Sequence, residues 1–412
     1  RMKQEKAILV EVIINGEKKS LDELASLAHT AGAKVVGSIT QNRDKPDQRT
    51  YIGEGKLKEL HALVAKEDAN LVIFDNELKP SETRNLQSEL GVKVIDRTGL
   101  ILDIFAQHAN SREGKLQVEL AQLDYTLTHL TGKGIELSRL GGGIGTRGPG
   151  ETKLEMDRRR IRKTISQLKK ELESIRAHRS TRRQARKASL IPVAAIVGYT
   201  NAGKSTLLNI LTEAGVLVQD KLFATLDPTT RKVKLPNGWE LLLTDTVGFI
   251  QKLPHGLVES FKATLEEITE ADILLHVVDS TSPDLEDHIS AVYNILEDLK
   301  AISKPIITIF NKIDGLKKKL PRKLIKKYAP AVEMSALKKE NVDKLLESTV
   351  KYLKENMVTE VFRIPQSKGS LISHLYDHGN VLSREYEGNY CDMKVEIDRI
   401  TAERLGSFIK RD

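Results

Sequence analysis

The fold of this chain is decided by one stretch of its sequence, Gly198-Tyr199-Thr200-Asn201-Ala202-Gly203-Lys204-Ser205. The stretch fits the pattern G-x-x-x-x-G-K-S without deviation, and its glycines let the backbone curl so that its amides point inward around phosphate groups. An apolar strand, residues 193–197, precedes it, and the leucines after it give the next segment the apolar face of a helix. The pattern predicts a phosphate loop in which Lys204 contacts the terminal phosphates and Ser205 binds Mg²⁺.

A second phosphate-contacting segment, Asp245-Thr246-Val247-Gly248, follows the apolar strand 241–244. In phosphate-loop nucleoside triphosphatases an aspartate at a strand end supports the magnesium shell, and a glycine amide in the next turn contacts the γ-phosphate. The pattern D-x-x-G is common in turns, so its weight comes from the strand before it. We expect Lys204 and Gly248 to act in catalysis.

Two further motifs select the base. Asn311-Lys312-Ile313-Asp314 follows the apolar strand 305–310, and an aspartate there can accept hydrogen bonds from the ring N–H and the exocyclic amine of guanine together. Adenine has no matching pair of donors on that edge, so the motif favours GTP over ATP. Ser335-Ala336-Leu337 fits the loop whose backbone amide contacts the guanine oxygen. The four motifs together predict a GTPase that binds GTP and GDP with Mg²⁺.

A candidate switch segment, Phe223-Ala224-Thr225-Leu226-Asp227-Pro228-Thr229-Thr230-Arg231, lies between the first two motifs. A threonine that completes the magnesium shell only when the γ-phosphate is present is the physical basis of a GTP switch. Thr225, Thr229 and Thr230 are all candidates, and spacing does not decide among them. Phe249 follows the second motif at the place where many small GTPases carry a glutamine that orients the attacking water. Because phenylalanine cannot hydrogen-bond water, we expect slow unaided hydrolysis and a partner that stimulates it.

The charge of the chain is concentrated in one segment. The net charge is +8, and residues 151–187 hold fourteen Lys and Arg against five acids. Such a local excess is typical of a polyanion site and predicts nucleic-acid binding, although a solvated helix face is the simpler alternative.

Four domains are predicted: an N-terminal α/β domain (1–112), a basic helical hairpin (113–190), a GTPase domain (191–355) and a small C-terminal α+β domain (356–412). In the first, short apolar runs alternate with helical patterns, which predicts a mainly parallel sheet. The same region contains acids that could form a metal cluster, but a structural role is favoured for them. These acids are Asp75, Asp96 and Asp103.

Leucines and isoleucines in residues 116–130 and 161–175 recur in alternating steps of four and three, which predicts two long helices that bury their apolar seams against each other. The connector between them contains the glycine-rich stretch Gly141–Gly150, far longer than a helix-to-helix turn needs. Glycines permit close approach of the backbone to phosphates, so we interpret the connector as a nucleic-acid-binding tip rather than a loop without a partner.

Composition favours a cytoplasmic protein. No apolar run approaches the ~20 residues that a membrane-spanning helix requires, the N-terminal residues lack the apolar core of a secretion signal, and Cys391 has no second cysteine to pair with. We expect a monomer, with loose attachment to a membrane surface left open.

The whole chain resembles the HflX family, ribosome-associated GTPases of the translation-factor-related class. The resemblance is carried by residues 96–105 (DRTGLILDIF), 114–123 (GKLQVELAQL) and 147–152 (RGPGET), together with the phosphate loop and residues 223–229. It implies that Ser205 and Thr225 are the magnesium ligands, that Thr225 acts in catalysis with Lys204 and Gly248, and that residues 223–227 line the nucleotide.

The family resemblance also implies a function. Members bind the large ribosomal subunit, hydrolyse GTP faster there, reach the peptidyl-transferase region with the glycine-rich connector, and split stalled or stress-damaged ribosomes. An ATP- or GTP-driven protein that remodels ribosomal RNA is the alternative enzyme, although no second phosphate loop precedes Gly198. A nucleotide-independent RNA-binding protein is disfavoured by the intact motifs.

Overall fold

The computed structural model describes residues 4–15, 20–129, 149–188, 191–212, 222–223, 225–252, 262–355 and 357–410. The chain divides into two compact units. The first comprises Arg1–Arg176, Lys221–Leu226 and Lys252–Lys262, and the second comprises Ala177–Asp220, Asp227–Gln251 and Ala263–Asp412. The first unit therefore includes one short segment that overlaps the candidate switch segment and another that begins shortly after Gly248.

A four-stranded parallel sheet forms the centre of the first unit, in the order β2-β1-β3-β4. The strands are β1 (Lys6–Ile14), β2 (Lys34–Arg43), β3 (Leu71–Phe74) and β4 (Lys93–Asp96), and the helices between and after them are α1 (Leu21–Thr30), α2 (Glu54–Glu67), α3 (Pro80–Leu90) and α4 (Arg97–His108). β1 and β3 read as almost continuous apolar runs because helices cover the sheet. The predicted parallel α/β fold is confirmed.

Two long helices follow, α5 (Arg112–His129) and α6 (Pro149–Ala188). Their predicted apolar seams pack on each other: Leu120 of α5 is buried in one cluster with Ile165, Leu168 and Leu172 of α6. Near the start of α5, Arg112 lies 3.4 Å from Glu171 of α6. Most of the glycine-rich connector, up to residue 148, lies outside the described residues.

A six-stranded sheet forms the centre of the second unit, in the order β10-β9-β8-β5-β7-β6. Its strands are β5 (Val193–Gly198), β6 (Thr229–Lys234), β7 (Glu240–Asp245), β8 (Ile273–Asp279), β9 (Ile306–Asn311) and β10 (Ala331–Glu333), and its helices are α7 (Lys204–Thr212), α8 (Lys262–Glu270), α9 (Leu285–Asp298), α10 (Arg322–Lys327) and α11 (Val342–Glu355). All pairings are parallel except that of β6 with β7. The motif-bearing strands β5, β7 and β9 therefore end at the same edge, where a doubly wound sheet binds its ligands.

The C-terminal part of the second unit is a small α+β fold, as predicted. Strands β11 (Met357–Pro365), β12 (Asn380–Glu387) and β13 (Tyr390–Asp398) form an antiparallel sheet in the order β11-β13-β12, with helices α12 (Gly369–His378) and α13 (Arg399–Arg404). The guanidinium of Arg404 binds Asp272 at 2.5 Å and the carbonyl of Ile191 at 2.7 Å, which ties α13 to the six-stranded sheet.

In the described part of the chain, no helix combines the length and the apolar character that crossing a membrane requires.

Candidate nucleotide-binding site

The phosphate loop joins β5 to α7, and two of its glycines are required by close packing. A Cβ on Gly198 would lie 2.2 Å from the carbonyl oxygen of Val277, and one on Gly203 would lie 2.3 Å from the side-chain nitrogen of Asn311. Gly203 also has a φ of +99°, which L side chains rarely adopt. The loop therefore curls tightly at the carboxyl edge of the sheet, in front of the N-terminus of α7.

The side chain of Lys204 is buried at the start of α7. Its ammonium donates a 2.7 Å hydrogen bond to the carbonyl of Tyr199, so the lysine spans the loop from within. Burial lowers the pKa of Lys204 to about 8, against the opposing effect of Asp245 and with a small contribution from Lys312. An anion placed in the loop would raise this pKa and favour the charged form further, which suits a phosphate-binding lysine.

Ser205 and Asp245 meet at the end of β7. The Ser205 hydroxyl donates to the carboxylate of Asp245 at 2.8 Å, and Asp245 is fully buried. The hydroxyl of the next residue, Thr246, donates to the carbonyl of Ile196 at 2.6 Å and fixes the strand end against β5. A hydroxyl and a carboxylate are the oxygen donors that Mg²⁺ prefers, so the pair fits a magnesium ion.

Gly248 lies directly against the lysine of the phosphate loop. A Cβ at this position would approach the ammonium of Lys204 to 3.0 Å and a methyl carbon of Thr200 to 2.9 Å, so a larger residue would displace the loop. The next side chain, Phe249, is only 1% exposed. Because the side chain of Phe249 is packed into the protein and has no polar atom, it cannot orient an attacking water.

Asn311 joins the phosphate loop to the predicted guanine motifs. Its amide nitrogen donates to the carbonyl of Ala202 at 2.9 Å, and its oxygen accepts from the backbone N–H of Ala336 at 2.9 Å. Ser335 donates its hydroxyl to Asp314 at 2.5 Å, which orients a carboxylate that is itself exposed. This arrangement holds three of the predicted motifs together at one edge of the sheet.

The remaining base-motif residues lie around this centre. Lys312 pairs with Asp279 at 2.7 Å, across the ends of β9 and β8. Leu337 is 75% exposed, so its side chain is available to cover a ligand rather than to fill the core. An exposed carboxylate can bind a flat base that carries paired N–H donors.

The structure separates the three candidate switch threonines. Thr229 and Thr230 lie on β6 and pair with Asp245 and Thr244 of β7, so they are part of the sheet of the second unit. Thr225 lies in the segment 221–226, which belongs to the first unit.

Within the first unit, Phe223 of that segment packs edge-on against Phe105, with ring centroids 4.8 Å apart. Leu226 is buried and Asp227 is half-buried, whereas Ala224 lies outside the described residues. Sheet pairing of Thr229 and Thr230 leaves Thr225 as the threonine of the three that is not built into a strand.

A buried ion network that sequence patterns did not indicate lies in the first unit. The carboxylate of Asp75 receives the guanidinium of Arg97 at 2.6 Å and the ammonium of Lys252 at 2.9 Å. Glu23 binds the same arginine, and Ser20 donates to Asp75 at 2.5 Å. Burial opposes ionisation of Asp75, but the two cations outweigh it and hold its pKa below the usual value.

Two of the three acids that were considered as a metal cluster make structural contacts. Asp75 is paired with cations, and Asp96 caps α4 by accepting from the N–H of Gly99 at 2.9 Å. No group of three or more metal-ligating side chains occurs in the described ranges. The contacts of Asp75 and Asp96 fit the structural role that was favoured for these acids.

Comparison with known proteins accounts for most of the chain. Family models described as GTP-binding GTPase N-terminal, GTP-binding GTPase Middle Region and 50S ribosome-binding GTPase match residues 18–106, 108–186 and 193–312. The GTPase HflX of Caldanaerobacter subterraneus is 51% identical over 412 residues, covering 98% of this chain and 94% of the relative. The chain belongs to the HflX family of GTPases.

Other HflX proteins show the same breadth of similarity. The GTPase HflX of Escherichia coli is 43% identical over 376 residues, covering 90% of this chain and 88% of the relative. A solved structure, the SsGBP and GDP complex, is 30% identical with a TM-score of 0.50, covering 85% of this chain and 98% of that one. HflX membership confirms a GTP-binding, GTP-hydrolysing enzyme with a ribosome-binding GTPase domain.

Proposed function

We propose that this chain is a GTP-driven switch that acts on the large ribosomal subunit. The observation that carries the proposal is the contrast between an assembled nucleotide pocket and a buried Phe249 at the water-orienting position. Such a pocket binds nucleotide well and hydrolyses GTP slowly unless a partner orders the attacking water or the switch segments. A ribosome-binding GTPase domain makes the ribosome the natural partner.

In this proposal the phosphate loop, residues 198–205, binds the phosphates, and Lys204 stabilises the charge that develops on them. Ser205 and Thr225 would hold Mg²⁺, and the ion would supply positive charge that offsets the negative charge of the phosphates. Residues 245–248 sense the γ-phosphate through the amide of Gly248. Asn311, Lys312 and Asp314, with the loop 335–337, hold guanine, and residues 223–227 cover the nucleotide.

The basic helix α6 supplies the surface for ribosomal RNA. Between residues 155 and 175, where the side chains of α6 are described, the buried positions are apolar and pack against α5, and most of the cations are exposed. Six cations of this stretch are exposed: Arg159, Arg160, Arg162, Lys163, Lys169 and Lys170. A cationic stripe on a rigid helix is the usual means of tracking a phosphate backbone.

The glycine-rich connector 141–150 would extend this surface toward the peptidyl-transferase region. Its composition and the family resemblance support that assignment, and splitting of stalled or stress-damaged ribosomes is the function we propose for the pair of helix and connector.

Sedimentation with purified subunits tests the binding step. We expect the protein to pellet with large and not with small subunits, and more in a non-hydrolysable GTP analogue than in GDP. Replacing Lys163, Lys169 and Lys170 by Glu should remove binding. A matched control with the same charge change, Arg322, Lys323 and Lys326 to Glu on exposed positions of α10, should bind as wild type. Equal losses in both variants would show only a general charge effect and contradict the proposed surface.

Sucrose-gradient analysis of intact ribosomes tests the splitting step. Wild-type protein with GTP should convert them into subunits, and the triple variant of α6 should not. Binding to large subunits without any conversion would contradict splitting while leaving the GTPase assignment in place.

A further inference from the structure

The side chain of Tyr199 contacts the segment that follows Gly248. Its phenolic oxygen accepts a 2.7 Å hydrogen bond from the backbone N–H of Gln251, and the tyrosine is 6% exposed. Tyr199 is the second residue of the phosphate loop, where the motif itself accepts any side chain. The phosphate-binding function of the loop therefore does not account for the phenol.

Two backbone hydrogen bonds join the same stretches. The N–H of Thr200 donates to the carbonyl of Phe249 at 2.7 Å, and the N–H of Phe249 donates to the carbonyl of Gly198 at 3.1 Å. They form a short parallel bridge between Tyr199 and Phe249. With the phenol contact, three hydrogen bonds fix residues 249–251 on the phosphate loop, immediately after Gly248.

A second contact, ring stacking, also restrains the side chain of Tyr199. It stacks on the imidazole of His288 on α9, with centroids 3.8 Å apart and an interplanar angle of 9°. The imidazole in turn lies 3.3 Å from the hydroxyl of Ser282, in the turn after β8. Because stacking restrains the ring, the hydroxyl of Tyr199 points in a defined direction. The backbone amide of Gln251 that donates to it is therefore held in a defined position.

We propose that Tyr199 is a positioning residue for GTP hydrolysis, which fixes the γ-phosphate sensor Gly248 by binding the backbone three residues beyond it. The proposal rests on the proposed role of Gly248 in the pocket. Donors that are fixed before the reaction stabilise transition-state charge without reorganisation, so a loosened sensor loses rate. The phosphates would contact the loop backbone and Lys204, not the phenol of Tyr199. The phenol should therefore have little effect on nucleotide affinity.

Tyr199→Phe tests this role because it keeps the ring and its stacking on His288 and removes only the hydroxyl. We expect kcat of GTP hydrolysis to fall about fivefold, the effect of one lost hydrogen bond. KM and the Kd for GDP should stay within about twofold, since the phosphate contacts remain. Hydrogen exchange followed by mass spectrometry should show faster exchange in the peptide that contains Gln251.

Tyr293→Phe is the matched control, since Tyr293 is a partly buried tyrosine of α9 whose hydroxyl bonds Thr308. It should leave kcat and the exchange of the Gln251 peptide unchanged. An unchanged kcat in Tyr199→Phe, equal losses of kcat and GDP affinity, or unchanged exchange at Gln251 would each overturn the assignment.

The role of Tyr199 and the ribosomal function have separate readouts. If wild-type protein binds GDP and hydrolyses GTP, and Tyr199→Phe does the same at the same rate, only the proposed role of Tyr199 is wrong. If large subunits do not change the rate of GTP hydrolysis by wild-type protein, the proposed ribosomal function is wrong, whatever the result for Tyr199→Phe.

Discussion

Ser205 donates its hydroxyl to the carboxylate of Asp245 across 2.8 Å, at the meeting point of the phosphate loop and the end of β7. The two side chains offer oxygen atoms that fit a bound Mg²⁺ ion, and the first prediction concerns Ser205. Ser205→Ala should lower GTP hydrolysis on the order of 100-fold, because the ion that offsets phosphate charge is held less well. Ser205→Thr, which keeps the hydroxyl, should retain activity. Hydrolysis measured across a magnesium titration checks this, and normal activity of the alanine variant at low magnesium would contradict it.

The second prediction concerns Asp314, which Ser335 orients at 2.5 Å. In the proposed base site the Asp314 carboxylate accepts from two guanine N–H groups, and Asp314→Asn would replace it by an amide that presents a donor. We expect the affinity for GDP to fall about 100-fold, as two charge-assisted hydrogen bonds are lost. Asp298→Asn, an exposed position at the end of α9, is the control and should bind as wild type. Fluorescent GDP titration measures both, and equal affinities would remove Asp314 from the base site.

The third prediction is a pH dependence of stability. His276 is buried on β8, and burial, with some effect of Lys204, lowers its pKa to about 3 from 6.5. Since the folded state keeps the imidazole neutral, stability is present above pH 6.5 and falls as the unfolded chain takes up a proton below it. Between pH 7.5 and 5.5 this group should cost about 1.4 kcal/mol.

Urea unfolding followed by the fluorescence of Trp239, the single tryptophan, measures that loss within the second unit. His276→Leu should lose about 1.4 kcal/mol less than wild type over the same pH range. Parallel losses in the two proteins would show that His276 is not the titrating group.

The fourth prediction concerns the ion network of the first unit. Arg97→Met leaves the carboxylates of Asp75 and Glu23 without their shared cation and should destabilise this unit by about 3–5 kcal/mol. Arg49→Met removes an exposed pair with Glu89 and should cost less than about 1 kcal/mol. Hydrogen exchange of peptides from β3 measures both variants. Similar protection in the two would contradict the larger stabilisation expected from the buried ion pairs.

Much of the fold followed from local patterns. The phosphate loop, the strands before it and before Asp245, and the strand ending at Asn311 are each marked by a short apolar run next to a polar motif. Parallel strands carry their motifs to one edge, so the grouping of the site follows from the order of elements alone. The apolar seams of α5 and α6 were visible in the same way, as helical spacing.

Other features could not be obtained from the sequence because they depend on side chains from distant segments. Lys252 binds Asp75 across 177 positions, and no pattern marks either residue as a partner of the other. The phenol of Tyr199 meets a backbone amide 52 residues away. Strand β12 was not predicted either, since Ser383, Arg384 and Glu385 are exposed and give no apolar alternation.

Dependence on the ribosome is tested by the rate of GTP hydrolysis with and without purified large ribosomal subunits, for wild type and Lys204→Ala. We expect slow hydrolysis by wild type alone, acceleration of at least about tenfold by large subunits, and little hydrolysis by the variant in either case. Wild-type hydrolysis that large subunits leave unchanged would contradict a pocket that depends on the ribosome to complete its chemistry.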